Sequence, residues 1–179
     1  MKLNSLRELY MEQLRDVYDG EHQIIKALPK MIEKASSQDL KDALKEHLET
    51  TKQHATRIER IFERLEEKAK GETCKGMKGI IDEGDDLVGN IKDADVRDAG
   101  IIAAAQRVEH YEMAGYGTAR TFAMLLEGQD AGQLLQQTLE EEKEADKTLT
   151  MLAGKVNANA AAGTTAGRQH RETRRERVA

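Results

Sequence analysis

Apolar residues recur at three- and four-residue intervals along almost the whole chain, and nowhere does the two-residue alternation of a strand persist. The pattern predicts an all-α fold. A first helix begins near Ser5, which stands three residues before Glu8 as in a capping box. Its inward stripe runs through Leu6, Leu9, Leu14, Val17, Glu21, Ile24, Leu28 and Ile32, with Pro29 interrupting its last turns. Ser36 and Ser37 close that helix and cap a second. The second carries Leu40, Leu44, His47, Thr51, His54, Ile58, Ile61 and Leu65 on one face and ends around Gly71. Met77 to Ile91 read as a short helix inside a longer connection. A third long helix, capped by Asp95, presents Ile101, Ile102, Ala105, Glu109, Glu112, Met113, Tyr116 and Ala123 as far as Gly128. A tight turn leads to a fourth, with Leu135, Thr138, Glu142, Asp146, Leu149 and Val156 inward.

Two helical hairpins joined by one long crossover have the connectivity of ferritin-like four-helix bundles. The expected architecture is therefore a ferritin-like bundle over residues 1–157, with a short fifth helix in the crossover. After Asn157 the sequence turns small, polar and finally Arg-rich, which predicts a disordered tail over 158–179.

Composition narrows the class. Charged residues make up 34% and aromatics 3% of the 179 residues, the balance of long helices packed through aliphatic side chains. A net charge of −5 argues against nucleic-acid binding by the whole domain. The five arginines of the tail (Arg168, Arg171, Arg174, Arg175, Arg177) allow at most weak contact with nucleic acid, a membrane surface or a partner. One cysteine, Cys74, excludes an internal disulfide framework. No apolar run is long enough to span a bilayer and no signal peptide is evident, so a cytoplasmic protein is expected.

Polar residues on the apolar stripes carry the chemistry. Taking about 100° per residue, Glu21 faces inward on the first helix and His47, Thr51 and His54 on the second. Glu109 and Glu112 face inward at i, i+3 on the third, Glu142 and Asp146 at i, i+4 on the fourth. Folding each hairpin on itself brings Glu21 level with Thr51 and His54, and Glu112 level with Asp146, while His47 falls about a turn and a half outside the layer. His47 therefore reads as a hydrogen-bonded core histidine. Ionised carboxylates crowded in a core repel and are costly to desolvate, and the arginines and lysines lie mainly on outer faces. Bound cations would supply the missing charge. Carboxylates mixed with imidazole suit iron or manganese, as one ion or a carboxylate-bridged pair. The predicted ligands are Glu21, His54, Glu109, Glu112, Glu142 and Asp146.

The same residues carry a resemblance. LRDVYDGEHQIIKALPKM, EHLETTKQHATRIERI, RDAGIIAAAQRVEHYEMAGYGTAR and LLQQTLEEEKEADKTL, in that order, resemble the YciF-type (DUF892) stress proteins over about residues 3–155. That resemblance implies a ferritin-like bundle, a homodimer and a role in stress responses. A more distant likeness links Glu21, Glu109 and Glu112 to rubrerythrin-like di-iron proteins. Thr50 departs from the pattern, standing where YciF-type sequences often carry glutamate. Two functions follow as expectations: a metal site handling iron, oxygen or peroxide with an unassigned redox partner, or a non-enzymatic dimeric helical protein with a degenerate site.

Overall fold

A computed structural model of the chain describes the backbone of residues 3–176 and the side chains of residues 3–163. The described residues form five helices and no strand: α1 (Leu6–Lys34), α2 (Gln38–Arg64), α3 (Lys75–Gly89), α4 (Ala94–Leu126) and α5 (Gln129–Glu176). The four long helices pack in a ring, α1 on α2 and α4, α5 on α2 and α4, with α3 lying against α4 and α1.

Local chemistry sets the ends. Ser5 caps α1 by accepting from the Glu8 amide at 3.2 Å, and the Glu8 carboxylate reaches back to accept from the Asn4 amide and, more weakly, from the Ser5 amide. The cap of α4 is Asp93, whose carboxylate accepts from the amides of Asp95 and Val96, so Asp95 lies inside the first turn and is not the cap. Helix α2 stops at Arg64, short of Gly71, where Glu66 adopts a left-handed conformation with φ 56°. Gly128, at φ 85°, takes the corresponding turn between α4 and α5. Cys74 caps α3, its sulfur accepting from the Met77 amide and lying 3.1 Å from the Tyr111 hydroxyl.

The backbone of α5 is helical through Glu176. Side chains of the Arg-rich run, and its contact with nucleic acid or partners, lie outside the described residues.

Ser37 occupies the N-cap position of α2 but makes no side-chain bond there. Asp98 of α4 does that work from across the fold, its buried carboxylate accepting from the Ser36 and Ser37 amides at 2.7 Å each. Arg97 beside it donates to the Lys34 carbonyl and to Ser36 Oγ. One carboxylate thus satisfies two amides at a helix start and ties the first hairpin to the second. Asp98→Ala is expected to lower stability by roughly 2–3 kcal/mol, read as a lower urea midpoint without a change in slope.

The interior is two apolar clusters rather than one. One gathers Tyr10, Leu14, Ile58, Phe62, Tyr116 and Leu135, the other Ile24, Leu40, Leu44, Met77, Ile101 and Leu149. Close approach of α4 to α1 sets their spacing: a Cβ on Gly115 would stand 2.9 Å from Val17 Cγ1. Between the two clusters sits a polar layer.

Candidate metal centre

Each of the four long helices sends ionisable side chains into that layer. Glu21 comes from α1, His47 and His54 from α2, Glu109 and Glu112 from α4, and Glu142 from α5. Glu21, His54 and Glu142 are fully buried, and Glu109 and Glu112 are no more than 3% exposed. Their donor atoms form two groups: His47, Glu109, Glu112 and Glu142, and Glu21, His54 and Glu142, each with one donor per residue mutually within 4.8 Å. Glu142 belongs to both. The centre is therefore elongated along the bundle axis, with a shared carboxylate in the middle.

Most of these atoms lack ordinary partners. Glu21 Oε2, His47 Nε2, His54 Nδ1, Glu109 Oε2, Glu112 Oε2 and both oxygens of Glu142 are buried with no hydrogen bond among the described residues. His54 Nδ1 stands 2.8 Å from Glu142 Oε1 and 3.5 Å from Glu21 Oε1, and His47 Nε2 stands 3.3 Å from Glu109 Oε1. Those contacts are close yet misaligned for an N–H···O bond. Buried polar atoms in native proteins are nearly always satisfied, so such a convergence of orphans calls for another occupant. The donor set, four carboxylates and two imidazoles, fits a hard or borderline divalent cation.

Electrostatics points the same way. Burial first, and then the neighbouring Glu142 and Glu21 charges, push the Glu109 and Glu112 carboxyls well above the usual carboxylate range. Burial also raises Glu21, although His54 pulls the other way. Burial alone would discharge His54, but Glu142 and Glu21 outweigh it and hold the imidazolium up to about 10. His47 is lowered by burial. Without cations the layer thus neutralises itself with protons. Tyr116, wholly buried and driven up by burial and Glu21, donates its hydroxyl to Glu21 Oε1.

Around this layer lies a supporting pair. Glu141 Oε2 lies 2.9 Å from His54 Nε2, while both Glu141 oxygens accept from the Arg57 guanidinium at 2.5 and 2.9 Å. Arg57 also donates to Thr138 Oγ1 at 3.1 Å and is itself buried. Partial burial pushes the Glu141 carboxyl up, but Arg57, Gln137 and His54 outweigh it and hold it near about 2. With its Nε2–H on a carboxylate, His54 turns Nδ1 toward Glu21 and Glu142.

Five of the six sequence-predicted residues, Glu21, His54, Glu109, Glu112 and Glu142, converge as expected. Asp146 does not join them. Its carboxylate accepts from Gln106 at 3.0 Å and lies 3.4 Å from His110 on the bundle flank. The structure pairs Asp146 with Gln106, about a turn and a half from Glu112. Each residue by which a hairpin hinge is misplaced shifts the pairing by two; levelling Glu112 with Asp146 places the hinge at residue 129, whereas α4 already ends at Leu126. His47, read from the sequence as a hydrogen-bonded core histidine outside the Glu21 layer, has a donor atom grouped with those of Glu109, Glu112 and Glu142, and its Nε2 makes no hydrogen bond among the described residues. The signal was its i, i+7 spacing from His54, which keeps both on one face two turns apart. Glu141 and Arg57, which the sequence does not single out, are half-buried and buried because their pairing lets Arg57 fold against Thr138.

The comparisons with known proteins span the segments that supply these residues. The family described as "Domain of unknown function (DUF892)" matches residues 5–162. Protein YciF of Escherichia coli K12 is 40% identical over 154 residues, covering 86% of this chain and 93% of that protein. The crystal structure of the E. coli stress protein YciF superposes with a TM-score of 0.83 at 38% identity, covering 87% of this chain and 99% of its own. YcfI of Rhodopseudomonas palustris gives a TM-score of 0.81 at 42% identity, with coverages of 83% and 95%. A Xanthomonas campestris protein shares the fold at 21% identity and a TM-score of 0.71, with coverages of 92% and 99%. No helix among the described residues is long and apolar enough to cross a membrane. A family match over residues 5–162, together with a relative 40% identical over 93% of its own length and a matching solved structure, means that this chain belongs to the YciF-type DUF892 family.

Proposed function

We infer that this protein is a ferritin-like, four-helix-bundle member of the stress-protein family that holds two divalent cations, iron or manganese, in its polar layer. The observation that carries the reading is the sharing of Glu142 between two donor groups whose buried atoms lack hydrogen-bond partners. Charge supports the number of ions. Glu21, Glu109, Glu112 and Glu142 offer four negative charges when ionised, matching two divalent cations with both histidines neutral. His47, Glu109 and Glu112 would hold one ion, Glu21 and His54 the other, and Glu142 would bridge. When bound, iron or manganese supplies one-electron chemistry toward oxygen or peroxide. The chain's own part is to exclude water, fix the donor positions and keep Tyr116 hydrogen-bonded to Glu21.

Metal analysis after anaerobic loading with iron(II) or manganese(II) tests this reading. About two ions per chain are expected, and fewer than about one per two chains overturns it. Loading should also displace protons, since burial and the neighbouring carboxylates favour the protonated forms of Glu109 and Glu112, and Glu142 and Glu21 favour that of His54. The calorimetric enthalpy of binding at pH 7 should therefore vary with buffer ionisation enthalpy, with a slope of about two or more protons released. Affinity should fall as the pH is lowered, because the same groups are then harder to deprotonate.

A second reading rests on Thr50. Its hydroxyl donates to the Glu46 carbonyl and adds no ligand to the layer, which favours a non-enzymatic helical protein with an incomplete centre. A marked gain in bound metal for Thr50→Glu would weaken the two-ion reading; no gain would weaken this alternative's premise.

A further inference from the structure

Two voids reach the polar layer from opposite sides, and they differ in chemistry. One, of about 40 Å³, lies between α3 and the layer and is walled by Ile24, Leu28, Met31, Ile80 and Ile101, with His47 and Glu109 at its inner end. The other, of about 220 Å³, lies between α2 and α5, with Thr50, Ala145, Glu46 and Glu144 along its walls and the same His47 and Glu109 at its floor. Glu46 and Glu144 are exposed, and Glu144 also accepts from Lys147.

The geometry points to the cleft between α2 and α5 as the route by which a hydrated divalent cation reaches the centre, an inference that rests on the metal reading above. Water occupies roughly 30 Å³ per molecule in the liquid, so the larger void has room for an ion with about six of its waters. The aliphatic side offers neither the space nor the oxygen atoms an ion needs while it sheds its hydration. The floor of the cleft presents His47 Nε2 and Glu109 Oε2, both buried and without hydrogen-bond partners. His47 is also the donor that retains contact with solvent, its side chain 11% exposed against 2% for Glu109. A cation entering here meets rim carboxylates first, then Thr50 Oγ1 and the Glu141 carboxylate, and then the imidazole and Glu109. From that point Glu142 is the next donor, since it shares one group with His47 and Glu109. Thr50 and Ala145 keep the passage open because both side chains are short.

Uptake of cobalt(II) alone by the full chain, stripped beforehand with a chelator, tests the route through stopped-flow visible absorbance and final elemental stoichiometry. Ala145→Phe fills the cleft from α5 and should slow uptake about tenfold while leaving final stoichiometry unchanged. Thr50→Met closes it from α2 and should act likewise, which covers poor folding of the first variant. The pair Glu46→Gln with Glu144→Gln should slow uptake about two- to threefold at low salt, with the difference vanishing at high salt. Ala105→Leu, which fills the aliphatic void, should leave the rate unchanged. Unslowed uptake in both cleft variants, or an equal slowing by Ala105→Leu, overturns the route while full stoichiometry leaves the metal reading standing. Failure of the unmodified chain to take up cobalt overturns both.

Discussion

Glu112→Leu is expected to make the cation-free protein more stable and to abolish its stabilisation by metal. Glu112 is 3% exposed, and its Oε2 has no hydrogen-bond partner among the described residues. Burial and the charges of Glu142, Glu21 and Glu109 all work against its ionised form. Replacing such a group by an apolar one of similar length removes the cost of burying an unsatisfied carboxyl and of keeping it protonated near neutral pH, a gain of roughly 1–3 kcal/mol. For a chain of this size each kcal/mol moves the thermal midpoint by about 2–4 °C. The unmodified protein should behave in the opposite sense, since an ion at 100 times its dissociation constant adds about 2.7 kcal/mol per site. Differential scanning calorimetry of both proteins, stripped and loaded with manganese(II), reads the two effects together. A stripped variant less stable than the unmodified protein would mean that Glu112 is held by favourable interactions of its own, and the cation argument would lose its main support. A site residue whose removal stabilises the fold is otherwise hard to explain without a ligand.

The helices were legible in the sequence because each long segment keeps an apolar stripe at helical period over many turns. The identity of the inward polar residues on α1 and α4 was legible for the same reason: Glu21 sits between Val17 and Ile24, and Glu109 and Glu112 follow Ile101, Ile102 and Ala105 on one face. What the stripe does not contain is height. Asp146 lies on a face that is nearly right, and only the offset between α4 and α5 takes it out of the centre to Gln106. His47 illustrates the same limit, since its height groups its donor atom with Glu109, Glu112 and Glu142 and not with Glu21. Helix ends were harder still where the cap comes from elsewhere in the fold, as Asp98 does for α2. Nothing local to Ser36 and Ser37 announces a carboxylate sixty residues away. The arginine at 57 illustrates a further limit. Its neighbours Thr56 and Glu59 are exposed, and its burial depends on Glu141 from another helix.

That pair separates architecture from site more sharply than any single residue in the layer. Arg57→Ala alone leaves Glu141 without its guanidinium, and Glu141→Ala alone leaves a buried guanidinium with only Thr138. Each should cost roughly 2–4 kcal/mol, slightly less than a fully interior pair because Glu141 remains 30% exposed. The double variant Arg57→Leu with Glu141→Leu leaves neither a guanidinium nor a carboxylate unpaired and should be more stable than either single variant, short of the unmodified protein by the roughly 1–3 kcal/mol of leaving His54 Nε2 without its acceptor. Its metal affinity should not recover. With Glu141 gone, His54 Nε2 has no carboxylate, and the ring loses the contact that turns Nδ1 toward Glu21 and Glu142. Loss of such an orienting carboxylate typically weakens metal binding 10- to 100-fold. Urea unfolding of the stripped proteins and competitive titration of manganese(II) give the two readings independently. Regained stability with normal affinity would show that packing against Tyr116 suffices to hold the ring, and Glu141 would then be only the partner of Arg57. Regained stability with weakened affinity would make Glu141 a positioning residue, one that acts on the cation through His54 without touching it.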